Sequence, residues 1–157
     1  MYESEFLTAS LTIIGGVVVY ITGELLNQFM IKPYYKFKES LNKLQTELMF
    51  RKSILTNMFI KEVISNEFFK EVIDIQKNLR KIWAHLNIEY KYLHKKRFFL
   101  MRKNIPTIEE METILSNMLI LSNSMIVIFQ NLLPEQKNDS LERSRKVEEI
   151  LSILKKY

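Results

Sequence analysis

The chain contains no cysteine, and among its 157 residues there are only three glycines, three prolines, two histidines and one tryptophan. The missing thiols exclude disulfides, thiolate zinc sites and a cysteine nucleophile together. Strand-and-turn architectures use Gly and Pro at every hairpin, so their scarcity disfavours an all-β fold and leaves helices as the expectation. Also missing are a glycine loop that could cradle phosphate, a His/Asp/Glu cluster at metal-ligand spacing and a nucleophile elbow. A metabolic enzyme is therefore not the expected class, and neither a metal nor a cofactor is expected. What is present is an ordinary globular balance, 47% hydrophobic and 26% charged residues, enough for one domain with a modest core.

Charge is absent altogether from the 18 positions Phe6 to Gly23, and apolar residues continue past Glu24 and Asn27 to Ile31. That run is long enough to cross a bilayer as a helix. A cleaved signal peptide would open with basic residues and end on a small-x-small site, whereas this chain opens with Glu3 and Glu5 and has no such site. No Lys or Arg precedes the segment, while Lys32, Lys36, Lys38 and Lys43 follow it, so the positive-inside rule places the N-terminus outside and the rest in the cytoplasm. The expected organisation is a transmembrane anchor over residues 1–32 and a cytosolic helical domain over 33–157. All three glycines fall in the anchor, and Ala9, Thr12, Gly16, Tyr20, Gly23 and Asn27 recur at steps of three and four. In lipid, helices associate by close packing of small residues and by polar contacts, so this stripe is the candidate face for a homo-oligomer.

The same spacing continues through Tyr34, Phe37, Leu41, Leu44 and Leu48, which predicts a helix running on into the cytosol, with a bend at Pro33. After a loosening near Asn57, Ser65 with Glu67 and Glu71 marks the start of a central helix with Phe68, Phe69, Val72, Ile73, Ile75, Leu79, Ile82 and Trp83 as its apolar stripe. Thr107 and Glu110 have capping-box spacing ahead of a nearly continuous apolar run to Leu133. Ser122, Asn123, Ser124 and Gln130 interrupt that run, which favours a buried core helix over a second span. Pro134 should end it, and after Asn138 to Ser140 a short amphipathic helix carries Leu141, Val147, Ile150, Leu151 and Leu154. The fold class expected is all-α, a membrane helix leading into a helical bundle.

Two features carry candidate chemistry. Arg80 and His85 form an R-x4-H pair, the spacing with which HEPN-type ribonucleases handle a 2′-hydroxyl and a phosphate across a dimer cleft. On one helix these two side chains lie about 140° apart, so convergence would need a second chain. The alternative is structural, with Arg80 in an ion pair and His85 at the edge of the core around Trp83. The second feature is Tyr90 to Lys103, where Lys91, Lys95, Lys96, Arg97, Arg102 and Lys103 supply six cations and no acid, against a whole-chain formal charge of +5. Such a patch, with Tyr90, Tyr92, Phe98 and Phe99 interleaved, fits an RNA backbone, anionic lipid headgroups or a solvated face with its rings turned inward.

The stretch TIIGGVVVYITGELLNQFMIKPYYKFKESL resembles a recurrent opening of small single-pass bacterial membrane proteins, and NIPTIEEMETILSNMLILSNSM resembles the second recurring block of that group. With the R-x4-H pair, the order of parts is similar to that of the HEPN-like membrane accessory proteins encoded beside the RNA-guided ribonuclease of type VI-B CRISPR systems. The resemblance implies a HEPN-like bundle and a ring-like oligomer that forms a pore in the bacterial inner membrane and strengthens antiviral defence. It also implies a partner RNA-guided ribonuclease, and it carries Arg80 and His85 over as the motif pair, although Lys81 stands where a polar residue usually follows the Arg. Three functions follow as expectations: a pore-forming effector, a membrane-tethered ribonuclease, and a non-catalytic anchor that holds a nuclease or RNA through the basic stretch.

Overall fold

The computed structural model describes residues 2–57, 66–95, 104–130 and 136–157, with side-chain environments over 5–56, 67–95, 104–123 and 140–157. Every element among them is helical: α1 (Tyr2–Leu26), a π-helical turn (Asn27–Ile31), α2 (Lys32–Phe50), α3 (Lys52–Asn57), α4 (Asn66–Lys95), α5 (Ile108–Gln130) and α6 (Gln136–Leu154). The chain divides into two compact units, Met1–Lys36 and Phe37–Tyr157.

In the first unit α1 carries no charged residue from Phe6 to Gly23. Its apolar side chains from Phe6 to Leu26 are exposed, Tyr20 at 74%, and none of its most apolar window is buried within the chain. It is the one helix among the described residues that is long and apolar enough to cross a membrane. The disturbance expected at Pro33 is a widened turn rather than a break. Proline has no N–H and its ring clashes with the carbonyl four residues back, here that of Phe29. The backbone relieves this by slipping to a five-residue repeat just ahead of the proline, where the Lys32 N–H donates to the Asn27 carbonyl, and helix continues to Phe50.

The second unit is a bundle with its own core. Phe37, Leu41, Leu44 and Leu48 of α2 are almost fully buried, so this half of the stripe faces the chain's own interior. From α4 come Val72, Ile75, Leu79, Leu86 and Leu93, at the three-, four- and seven-residue spacing of one helix face. Met111, Ile114, Met118 and Leu121 of α5 and Val147, Ile150, Leu151 and Leu154 of α6 complete it, while α3 adds Leu55. Arg51, just after α2, meets Glu71 near the start of α4 at 2.5 Å, and the Phe37 and Tyr90 rings meet at 5.9 Å, so α2 and α4 run antiparallel.

Several expectations are corrected here. The buried face of α4 leaves out Phe69, which is exposed, and only half-buries Phe68, Ile73, Ile82 and Trp83; it continues instead through Leu86, Tyr90 and Leu93. Leu119 is exposed in α5, and Leu141 is exposed in α6. α6 begins at Gln136, before the Asn138 to Ser140 stretch taken as its lead-in, and Asn57 still closes a helix. Ser65 and Pro134 lie outside the described residues.

Candidate functional site

Among the described residues, no other element buries the stripe along α1. Ala9, Thr12, Gly16, Tyr20 and Gly23 are exposed and Asn27 is half-exposed. A Cβ added at Gly15, Gly16 or Gly23 would meet nothing within 4 Å, so no close approach inside this chain demands glycine there. The hydroxyls of Thr12 and Thr22 donate to the carbonyls of Thr8 and Val18, at 2.9 and 2.8 Å, which satisfies them within the helix. Below the stripe, the Glu24 carboxylate accepts from Gln28 at 2.8 Å and lies 3.8 Å from the Lys32 ammonium, so the one acidic group of this stretch is matched along its own helix.

Arg80 and His85 both sit on α4 and both are exposed. Arg80 donates to the side-chain oxygen of Asn123 on α5 at 2.9 Å, a neutral partner rather than the expected ion pair. The Trp83 indole between them donates to the Leu115 carbonyl at 3.1 Å and is half-buried against α5. Within one chain the two motif residues therefore stay on different sides of α4.

Of the basic stretch, Lys91 and Lys95 are described and exposed at the end of α4, with His94 beside them. Lys96, Arg97, Arg102, Lys103, Phe98 and Phe99 lie outside the described residues. Tyr90 is not a free stacking face. Its ring is buried between Phe37 and His94, with centroids 5.9 and 6.0 Å away, and its hydroxyl donates to the Pro106 carbonyl at 3.3 Å. Burial, with Glu112 and Glu110 nearby, raises its pKa.

Sequence reasoning missed the cluster that closes this corner. The capping box forms as expected, Thr107 N to Glu110 Oε2 at 3.0 Å and Glu110 N to Thr107 Oγ1 at 3.2 Å. The same carboxylate also takes the Lys156 ammonium at 2.7 Å and the Tyr157 hydroxyl at 2.6 Å. These donors, Lys156 foremost, hold Glu110 down to about 2, while burial and then Glu110 push Tyr157 up to about 12. Lys38 in turn donates to the Tyr157 main-chain oxygen. Nothing local links residues 38, 110 and 157, so only the fold could reveal them.

An open groove between α2 and α4 is lined by Glu39, Asn42, Lys43, Thr46, Lys81 and Ile82. Its charges are mixed, and Lys43 is already paired with Glu39 at 2.7 Å. Among the described residues no three His, Asp or Glu side chains group as a metal site.

The fold and these features define a class: an all-helical protein in which a fully exposed apolar helix precedes a bundle with its own core. Comparison with known proteins carries this no further, since no family model, no curated protein and no solved structure matches the chain.

Proposed function

We propose that the protein is a single-pass inner-membrane protein with its bundle in the cytoplasm, and that it self-associates through the Ala9, Thr12, Gly16, Tyr20, Gly23 and Asn27 face into a pore that permeabilises or depolarises the membrane in CRISPR-linked antiviral defence. One observation carries the reading: α1 is uncharged over its most apolar stretch and buries none of it, while the core residues of the described chain all lie in the second unit. Left in water, so much contiguous apolar surface would be strongly unfavourable, and lipid together with a second copy removes that penalty. The neighbouring residues agree with an interface, since exposed Tyr35, half-exposed Tyr34 and the Lys32 and Lys36 cations follow the span directly.

The test is Gly16→Leu combined with Gly23→Leu in the full chain. The open space around both Cβ positions means that leucine fits the single protomer, so a change in behaviour reports on contacts between copies. The expected result is loss of the high-mass particle in detergent and of membrane depolarisation on expression. An unchanged particle that still depolarises cells sinks the packing face.

A second reading, a HEPN-like ribonuclease acting across a dimer, is favoured by the exposure of both Arg80 and His85, which leaves them available to a partner chain. It requires that cells expressing the wild type lose RNA and that His85→Ala restores it.

A further inference from the structure

The end of α4 extends beyond the level at which the bundle begins. With Arg51 beside Glu71 and Phe37 beside Tyr90, the antiparallel register of α2 and α4 leaves residues 91–95 of α4 running on past Phe37, the first residue of the second unit. At 1.5 Å per residue this overhang is about 7 Å long. It presents the Lys91 and Lys95 ammonium groups, one helical turn apart and both exposed, with His94 between them. That corner is fixed rather than loose, because Tyr90 is held by Phe37 and Pro106, and Tyr157 by Glu110 and Lys38. At this corner Lys156 and Glu110 match each other, and Glu109 and Glu112 are exposed acids on the first turns of α5, on a different helix from Lys91 and Lys95. The helix dipole accounts for His94 and Lys95 in the last turn, but it falls off within that turn and does not account for Lys91.

Covalent reach then decides what this overhang meets. Only five residues lie between Ile31, the last apolar residue of the proposed span, and Phe37, so even a fully extended chain keeps Phe37, with the Tyr90 ring beside it, within roughly 20 Å of the bilayer edge. Resting on the reading of α1 as a span, we infer that the C-terminal end of α4 is a lipid-binding site in which Lys91 and Lys95 engage the phosphate groups of anionic phospholipids in the leaflet facing the bundle. Tethering makes the local headgroup concentration very high, so two weak charge contacts suffice to dock the bundle. Each cation near an anionic surface favours docking by about fivefold, so neutralising both should weaken it by about 25-fold.

The chain has no cysteine, so single spin labels can be placed cleanly in the full-length protein. One label at Ile88→Cys, 69% exposed and one turn before Lys91, reports docking, and a second at Val18→Cys reports whether α1 lies in lipid. The protein is reconstituted in nanodiscs of phosphatidylcholine alone and of phosphatidylcholine with about 30 mol % phosphatidylglycerol, the anionic lipid supplying the surface charge. The inference expects the Ile88 label to be immobilised only in anionic discs, released by high salt, lost in Lys91→Gln/Lys95→Gln and kept in Lys91→Arg/Lys95→Arg. If the Val18 label is lipid-exposed but the Ile88 label ignores lipid charge, the inference falls and the span stands; if the Val18 label is in water, both fall. Immobilisation by a short single-stranded RNA in neutral discs, without a response to phosphatidylglycerol, overturns the inference in favour of a nucleic-acid surface.

Discussion

α1 and α5 are two apolar helices of nearly equal length, 25 and 23 residues, with opposite fates. In α5 the buried residues Met111, Ile114, Met118 and Leu121 recur at steps of three and four, and Glu112, Ser116 and Asn123 face outward. That single stripe packs against α4 and α6. In α1 the Val, Ile and Leu residues are exposed, and no described element buries them. The lesson is that apolar content does not distinguish a core helix from an exposed one, whereas the arrangement of apolar residues around the axis does. The exposed side of α5 carries Glu109, Glu112, Ser116 and Asn123 beside Leu119 and Ile120, whereas α1 has no charged residue between Phe6 and Gly23, and its Thr12 and Thr22 hydroxyls are bonded to its own turns.

The sharpest way to break this comparison is to truncate equivalent side chains. Ile114→Ala should destabilise the bundle by about 3 kcal/mol through the cavity it leaves, whereas Val18→Ala should leave the unfolding midpoint unchanged, as followed in detergent by Trp83 fluorescence. An equal loss at both positions would mean that α1 is also part of a packed core. Adding charge asks the converse question. Val18→Lys should oppose membrane insertion by about 3 kcal/mol and move the protein from the carbonate-resistant membrane fraction to the supernatant, while Ser116→Lys on the exposed side of α5 should leave fractionation unchanged.

Smaller effects test how the corner next to the start of α5 is secured. Glu110→Gln should cost about 1 kcal/mol through the weakened capping box and the lost Lys156 partner, measured by urea unfolding. The pH dependence gives the sign. A carboxyl held at about 2 when folded and near 4.5 when unfolded stabilises the fold fully above the unfolded value and loses that contribution as pH falls through the folded one. Wild-type stability should therefore decline between about pH 4.5 and about pH 2, with a shallower slope in Glu110→Gln. At the other extreme, Tyr157 is raised from 10.0 to about 12, so its contribution is complete below the unfolded value and fades as pH rises through the folded one; Tyr157→Phe should flatten that alkaline decline.

Much of the architecture was legible because helices announce themselves locally. The uncharged run, the stripe from Phe37 to Leu48 and the Thr107–Glu110 box each depend on residues within a few turns, and each formed as expected. The disturbance at Pro33 was legible too, although its form as a π turn depends on backbone adjustment that residue types do not specify. The reading of α4 went wrong where two apolar faces competed, Phe69 and Trp83 against Leu86 and Leu93, since only the packing of neighbours selects between faces a small rotation apart. Neither the use of Tyr90 as a buried anchor nor the neutral partner of Arg80 could be read locally, because Phe37 and Asn123 lie far along the chain.

The sequence by itself determined that this protein is helical, that its first helix is apolar enough to cross a membrane and that its cations follow rather than precede that helix. These are properties of composition and periodicity, which act over a few residues. Only the tertiary structure decided that the second unit has a core of its own, that Glu110 gathers donors from the far end of the chain and that the end of α4 overhangs the level of Phe37. Such facts require burial and register between segments many residues apart, and those are settled only when the helices pack.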